Sequence, residues 1–179
     1  MGTRFSVIGT SGSGKTTTGR AIAERLSLPF LELDSIVHGR GWNEVTDEEL
    51  RRRVKPLLET DRWVVDGNYE PKLGDLVLER ADTVVWLDLP LWLKLARTFR
   101  RTAGRIVRRE ELWNGNRETI RAAFLGRDSL FAWLLRSHRR QRRELPDRLG
   151  RPGLAHPRVM RLRTPGEVRR WLSELGTNQ

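Results

Sequence analysis

One short segment near the N-terminus has the residue types and spacing needed to bind phosphate. Between Gly9 and Thr16 it fits the P-loop pattern, in which glycine and four further residues precede Gly-Lys-Ser/Thr. Glycines allow successive backbone N–H groups to point at phosphate oxygens, and the helix that follows adds the positive end of its dipole. Lys15 would reach the β- and γ-phosphates, and the Thr16 hydroxyl would bind Mg²⁺. The predicted nucleotide-binding residues are Gly9, Thr10, Ser11, Gly12, Ser13, Gly14, Lys15, Thr16 and Thr17.

The elements on either side of this loop support the same interpretation. The apolar run 4–8 is typical of a buried strand, and Thr18, Ile22 and Leu26 recur afterwards at helical spacing. The alternative, a glycine-rich turn with a chance lysine, does not require a strand before it and a helix after it. The sequence therefore predicts a strand, a phosphate loop and a helix in that order.

Three aspartates lie at or near the ends of later apolar runs that read as strands, namely Asp34, Asp66 and Asp88. The carboxyl ends of parallel strands share one edge of a sheet, where ligands bind. We predict that Asp34 orients and deprotonates an acceptor hydroxyl, and that Asp66 holds Mg²⁺ through water. Helix capping by Asp34 and a turn-forming Asp66-Gly67 pair are the structural alternatives. Asp88 fits a Walker-B-like role and a capping role equally well.

The order of strands and helices predicts an α/β fold with a parallel sheet covered on both faces. Thr46 and Glu49 have capping-box spacing at the start of one helix. After Pro90 we expect a helix that presents Leu91, Leu95 and Phe99 on one face. Four tryptophans in apolar patterns are predicted to lie in the core: Trp86, Trp92, Trp133 and Trp171.

The chain of 179 residues suits a single domain over 1–179, since it shows no internal repeat or second domain. Fourteen arginines lie between Arg97 and Arg143 against four acidic residues, which leaves a net charge of +10 there out of +11 overall. We interpret residues 105–145 as a helical, arginine-rich lid or insertion hinged near Gly126. Such charge fits nucleic acid, a polyanionic small molecule such as ATP, or a solvated helical face.

Composition excludes several classes of site. The chain has no cysteine, so it has no disulfide, thiolate metal site or cysteine nucleophile. No apolar run approaches the 18 residues that a membrane-spanning helix needs. Because the first strand starts within a few residues of Met1, we expect no signal peptide and a cytoplasmic location. We expect a monomer or a homodimer.

The loop with its Gly-x-x-Gly-x-Gly-Lys-Thr-Thr form resembles that of nucleoside-monophosphate and shikimate kinases. The segments 62–69 and 81–90 resemble a narrower bacterial group described as adenylate-kinase-related or DNA-topology-modulation proteins. This resemblance implies a P-loop NTPase fold, a three-layer α/β/α structure with a five-stranded parallel sheet in the order 2-3-1-4-5. It also implies a lid after the fourth strand.

The resemblance implies roles for particular residues. Asp34 matches the position that holds the acceptor hydroxyl in shikimate-kinase-like enzymes, and Asp66 matches the acidic residue near Mg²⁺ in nucleoside-monophosphate kinases. Arg97 and Arg101 lie where such kinases place phosphate-clamping arginines. Gly67 is not followed by the Phe-Pro-Arg of adenylate kinases, and their simple lid signature is missing. Both departures argue against adenylate kinase activity.

Residues around these positions are candidates for acceptor binding. Asn68 and Tyr69, after Gly67, could recognise the acceptor by hydrogen bonding and stacking, and Trp42 lies on a glycine-broken loop that would face it. His38 lies on the same loop and is left out of the predicted catalytic set, because a lone loop histidine is usually surface.

The leading hypothesis is an ATP- and Mg²⁺-dependent phosphotransferase that acts on a hydroxyl or phosphate of a small molecule, either nucleotide-like or another metabolite. One alternative is a nucleic-acid-associated ATPase or a kinase of nucleic-acid ends. A second alternative is a nucleotide-dependent switch without an acceptor.

Overall fold

The computed structural model describes residues 2–67, 69–116, 118–120, 123, 129–151 and 157–175. Its five-stranded sheet has the order β2-β3-β1-β4-β5, and every neighbouring pair of strands is parallel. The strands are β1 (Arg4–Ile8), β2 (Phe30–Glu32), β3 (Trp63–Asp66), β4 (Thr83–Leu87) and β5 (Arg158–Leu162). The predicted fold class and strand order 2-3-1-4-5 are confirmed.

Helices connect the strands and cover the sheet. They are α1 (Lys15–Leu26), α2 (Leu33–Val37), α3 (Asp47–Leu58), α4 (Glu70–Leu73), α5 (Leu91–Arg108), α6 (Leu130–Leu149) and α7 (Pro165–Glu174). One half of the predicted capping box is observed, because the Thr46 hydroxyl accepts a hydrogen bond from the Glu49 N–H at 3.2 Å, whereas the Glu49 carboxylate pairs with Arg52 and Arg53. Thr164 caps α7 in the same way.

Two apolar cores lie on the two faces of the sheet. One packs α2, α3, the segment after α4 and the Leu145 side of α6 against β1, β3 and β4. The other packs α1 and α7 against the opposite side of the same strands. Every residue of β3 and β4 is buried, as expected for central parallel strands. Within the described residues, no helix is both long and apolar enough to cross a membrane.

The orientation of α5 differs from the prediction. Its fully buried residues are Lys94, Thr98 and Thr102, whereas Phe99 is 56% exposed. The buried face of α5 packs against the phosphate loop, because the backbone at Gly12 lies close to the Lys94 carbonyl and the Thr98 hydroxyl. A helix that supports a backbone turn of the phosphate loop presents small and polar groups to it, and the apolar side chains turn outward.

Two of the four predicted core tryptophans lie at the surface. Trp86 is buried and Trp171 packs on the core of α1 and α7, as predicted. The predictions for Trp92 on α5 and Trp133 on α6 are wrong, because these side chains are 70% and 46% exposed. Both helices bury a polar strip, so apolar spacing alone does not indicate their inner faces.

The predicted lid range 105–145 begins inside α5 and ends inside α6. Between these helices the chain makes a short 3₁₀ turn at Trp113–Gly115. The hinge predicted near Gly126 lies outside the described residues.

Candidate active site

The phosphate loop joins β1 to α1 as predicted, at the carboxyl edge of the sheet. Gly12 and Gly14 adopt φ angles of 74° and 91°, the left-handed region that glycine enters without strain. Lys15 opens α1, so the loop delivers the helix N-terminus to any bound phosphate. The hydroxyls of Thr10 and Ser13 are buried and have no hydrogen-bond partner among the residues that the structure describes. These unpaired donors fit a loop whose missing partner is a ligand.

Oxygen atoms suited to Mg²⁺ meet beside this loop. The Thr16 hydroxyl donates to Asp66 Oδ2 at 2.6 Å and lies 3.4 Å from Glu32 Oε1. Asp66 is 2% exposed, and within the described part of the chain its Oδ1 has no hydrogen-bond partner. Burial raises the pKa of Asp66 to about 6, and the charge of Lys15 acts in the opposite direction. A cation would satisfy the free oxygen and stabilise the ionised carboxylate.

This donor set fits magnesium rather than a metal held by the protein alone. Mg²⁺ is usually held by one or two carboxylates together with substrate phosphates and water. Among the described residues no group of three or more His, Asp or Glu side chains forms a metal cage. Thr16 and Asp66 are the predicted pair, and Glu32 joins them although the sequence reasoning missed it. The signal was its place as the last residue of β2, two positions before Asp34.

The two predicted phosphate-clamping arginines extend from α5 toward the phosphate loop. Arg101 donates a hydrogen bond to the Ser11 hydroxyl at 3.0 Å. The Arg97 guanidinium lies 3.7 Å from the point where a Cβ of Gly14 would be. Both cations therefore lie over the phosphate-binding backbone, with Lys15 on the loop itself.

Asp34 lies in the first turn of α2, directly after β2, and Tyr69 follows β3. The Tyr69 hydroxyl donates to Asp34 Oδ1 at 2.6 Å and lies 3.3 Å from His38 Nε2. Burial, reinforced by the Asp34 carboxylate, raises the pKa of Tyr69, so the phenol stays protonated and acts as a donor. Gly67, at the end of β3, donates its N–H to the Val7 carbonyl. Asn68 lies outside the described residues.

Tyr69 also belongs to a group of four rings centred on His38, which we call the aromatic cluster: His38, Trp42, Tyr69 and Trp113. The His38 ring centroid lies 5.4 Å from Trp42, 6.4 Å from Tyr69 and 5.8 Å from Trp113. Trp42 was predicted to face the acceptor, whereas Trp113 was missed and His38 was set aside. A tryptophan inside an Asn-Gly turn of a charged segment was the available signal for Trp113.

Asp88 is engaged by cations from two other elements. Arg142 of α6 and Arg161 of β5 approach its carboxylate at 3.0 and 2.7 Å, and Arg161 also stacks on Trp86 at 4.1 Å. These contacts favour a structural role, in which Asp88 fixes α6 to the sheet, over the Walker-B-like alternative.

A second buried pair lies beneath the phosphate loop. Lys94 Nζ is 2.7 Å from His138 Nδ1, and the lysine is 1% exposed. Burial lowers the pKa of Lys94 to about 8 and also lowers the pKa of His138. This pair connects α5 to α6 behind the phosphate loop, and no motif in the sequence predicted it.

Comparisons with known proteins agree with this geometry. A family model described as "Shikimate kinase" matches residues 11–61. The shikimate kinase of Sulfurihydrogenibium sp. is 25% identical over 99 residues, which span 48% of this chain and 60% of that protein. The match thus covers less than two thirds of that relative.

Solved structures extend the likeness over nearly the whole chain. A shikimate kinase from Acinetobacter baumannii in complex with shikimate matches with a TM-score of 0.55 and 19% identity, over 98% of this chain and 91% of the other. A deoxyadenosine kinase from M. mycoides with bound dCTP matches with a TM-score of 0.52 and 10% identity, over 97% and 98%. The fold is that of the small P-loop kinases. At these identities the reaction and its acceptor must be argued from the residues of this chain.

Proposed function

We propose that the protein is a P-loop kinase that transfers the γ-phosphoryl group of Mg-ATP to a hydroxyl group of a small molecule. One observation carries the proposal. A hydrogen-bonded Thr16–Asp66 pair, in which Asp66 is buried, lies beside the phosphate loop, and Asp34, close enough to Asp66 for their charges to interact, marks a second polar centre beside it. The first centre suits a nucleotide with its cation, and the second suits the group that receives phosphate.

Phosphoryl transfer needs positioning and charge neutralisation more than covalent chemistry. The phosphate loop and Lys15 would hold the β- and γ-phosphates, with Arg97 and Arg101 over the same loop. Thr16 and Asp66 would hold Mg²⁺, which neutralises the charge that develops on the transferred group. Asp34 would accept the proton of the attacking hydroxyl.

Three features favour a hydroxyl acceptor over a phosphate acceptor. Asp34 is a carboxylate, which accepts a proton from an alcohol and repels a phosphate. Among the arginines of α5, Arg101 is directed to Ser11 on the phosphate loop, and Arg105 lies 3.1 Å from Glu118. The similar structures are named for shikimate and deoxyadenosine, which are both alcohols.

Product detection by mass spectrometry tests the proposal. Protein and Mg-ATP are incubated with pooled nucleosides, sugars, nucleotides and hydroxy acids, with Lys15→Ala as the control. We expect one species to gain a phosphate only when Lys15 is intact. ADP release without any phosphorylated product would contradict the proposal and favour the nucleotide-dependent switch. A cytoplasmic location and a monomeric or homodimeric state remain expectations from the sequence.

A second candidate is the nucleic-acid-associated ATPase or nucleic-acid-end kinase, which the resemblance to DNA-topology-modulation proteins also suggests. The exposed side chains on the outer face of α6 support this candidate. Four exposed arginines and Trp133 line an open groove of about 520 Å³ there: Arg136, Arg139, Arg140 and Arg143. Arginines that track a phosphate backbone beside an exposed aromatic ring are typical of single-strand binding.

Salt dependence separates this candidate from the first. Displacement of counterions from nucleic acid makes the affinity fall steeply with salt, in proportion to the number of phosphates contacted. We would measure binding of a fluorescent single-stranded 20-mer between 50 and 200 mM salt. A replacement of Arg139 and Arg143 by glutamine should flatten the slope, whereas undetectable binding at 50 mM salt would exclude the candidate.

A further inference from the structure

Two segments that are remote in the chain meet over the acceptor side of the site. We call residues 38–44 the acceptor loop and residues 112–116 the lid turn. The Asn116 side chain donates to the Gly39 carbonyl at 2.8 Å and accepts the Trp42 N–H at 3.0 Å. Asn114 donates to the His38 carbonyl at 2.6 Å. Asn116 is 4% exposed, so its amide is a buried connection between the two segments.

These bonds hold an unfavourable backbone in place. Trp42 has a φ angle of 61°, which is rare for a bulky residue. The backbone N–H of this same residue donates the hydrogen bond to Asn116. Strained residues persist where surrounding contacts determine them, and they concentrate at ligand-binding sites. Trp42 nevertheless leaves 40% of its surface exposed.

The connected segments supply the rings of the aromatic cluster. Trp113 of the lid turn stacks on His38 of the acceptor loop, with ring planes 30° apart, and Trp42 meets the same imidazole edge-on. Tyr69 continues the series to Asp34 through its hydroxyl. The aromatic surface thus ends at the carboxylate assigned to the acceptor hydroxyl.

We propose that Trp42 and Trp113 form a stacking surface for the acceptor, and that the acceptor is an alcohol carrying a flat aromatic ring, as a nucleoside does. This inference rests on the proposed function. Flat rings gain most from indole and imidazole faces, which present a π-surface to them.

Because the stacking surface is built from two segments, binding of an acceptor also affects how these segments are held together. Because Asn116 joins the lid turn to the acceptor loop, an acceptor that stacks on both tryptophans stabilises the joined arrangement. Asn116 is in this view a positioning residue, which acts through the backbone of Trp42 and Gly39 rather than on the substrate.

Tryptophan fluorescence tests the proposal without turnover. The nucleotide site is first filled with a non-hydrolysable Mg-ATP analogue, so that a nucleoside cannot report from there. The probes are thymidine, deoxycytidine, deoxyadenosine, guanosine and pyridoxine as flat-ring alcohols, with shikimate and gluconate as non-aromatic hydroxy acids. We expect at least one flat-ring probe to change the fluorescence saturably and the two hydroxy acids to leave it unchanged.

Variants assign that signal to the cluster. Trp113→Ala should weaken binding of the responding probe by about tenfold or more, and Trp113→Phe should restore most of it. Trp92→Ala is the matched control, since Trp92 is a highly exposed tryptophan outside the cluster. Binding by shikimate or gluconate alone, no response to any probe, or equal affinity in Trp113→Ala would overturn the inference. Lys15-dependent transfer to a ringless alcohol would overturn it while leaving the proposed function intact.

Discussion

The phosphate side and the acceptor side of this site are built in different ways. The phosphate side is centred on one contiguous segment, a loop that consists mostly of backbone N–H groups and includes two left-handed glycines. The acceptor side brings together side chains from β2–α2, the acceptor loop, the end of β3 and the lid turn. A site made of backbone keeps its ligand when neighbouring residues change. A site made of assembled side chains can change its ligand while the fold stays the same.

Replacement of Lys15, the lysine of the phosphate loop, should have the largest effect on phosphoryl transfer. Lys15→Ala is expected to lower the rate of phosphoryl transfer by ~10³-fold or more, because a cation at the transferred group is worth about 10³–10⁵ in rate. ATP binding should weaken as well, while fluorescence changes from the acceptor probe persist. The measurements are product formation and ATP titration. Lys55→Ala, on the exposed face of α3, serves as the control, and unchanged ATP binding in Lys15→Ala would contradict the assignment.

Replacement of the Asp34 carboxylate should have the second largest effect on phosphoryl transfer. Asp34→Asn removes the proton acceptor and keeps the shape and the Tyr69 hydrogen bond, so transfer should fall by ~10²–10⁴-fold with ATP affinity unchanged. Steady-state product formation and ATP titration measure the two sides separately. Asp61→Asn, in an exposed turn before β3, is the control. A loss of ATP binding in Asp34→Asn would show that the two sides are not separable.

A smaller effect is expected at the connection between the lid turn and the acceptor loop. Asn116→Ala leaves the Gly39 carbonyl and the Trp42 N–H unpaired, which should cost about 1–3 kcal/mol. We expect KM for the acceptor to rise by about tenfold, with kcat and ATP affinity much less affected. Asn43→Ala removes a hydrogen bond within the acceptor loop and spares the connection. Equal kinetics in the two variants would argue that Asn116 is not a positioning residue.

The smallest effect is expected on stability rather than on catalysis. It concerns Lys94, which lies beneath the phosphate loop, and it depends on pH. Burial lowers the pKa of Lys94 to about 8, close to His138, Asp88, Arg142 and Lys15. Between pH 8 and about pH 10.4 the unfolded chain keeps a proton that the folded protein has released, so the free energy of unfolding contributed by this group rises with pH. Below pH 8 the buried charge is a constant penalty.

Lys94→Met removes that titration. Its free energy of unfolding relative to the wild type should therefore fall by about 1–3 kcal/mol as the pH is raised from 7 to 10.4. Urea denaturation of both proteins at several pH values measures the difference, which cancels the titration of other groups. A difference independent of pH would mean that Lys94 keeps an ordinary pKa.

The sequence predicted the strand, loop and helix of the phosphate side, and for a physical reason. A P-loop needs glycines, a lysine and a threonine at fixed spacing in one segment, so local pattern and function coincide. The strand order was confirmed, although it rested on resemblance rather than on periodicity. Glu32 was missed because a glutamate that ends a strand has no distinctive neighbours, and its approach to Thr16 depends on how β2 pairs with β3.

The acceptor side could be predicted only in part. Asp34 and Tyr69 were named separately, but their hydrogen bond joins residues 35 positions apart. Trp113 and Asn116 contact the acceptor loop across more than 70 positions, a distance at which spacing carries no information. Trp92 and Trp133 were assigned to the core because they have apolar spacing. That spacing cannot show that their helices bury lysine, threonine or histidine in place of the tryptophans.

The helix α5 is also a mechanical lever. Its first turns contact the phosphate loop at Gly12, and near its far end Arg105 pairs with Glu118, two residues after the lid turn. With 18 residues at 1.5 Å each it is about 27 Å long, so a tilt of about 10° at the loop end would move the far end by about 5 Å. A small displacement of α5 at the phosphate loop would therefore become a several-fold larger displacement beside the acceptor side.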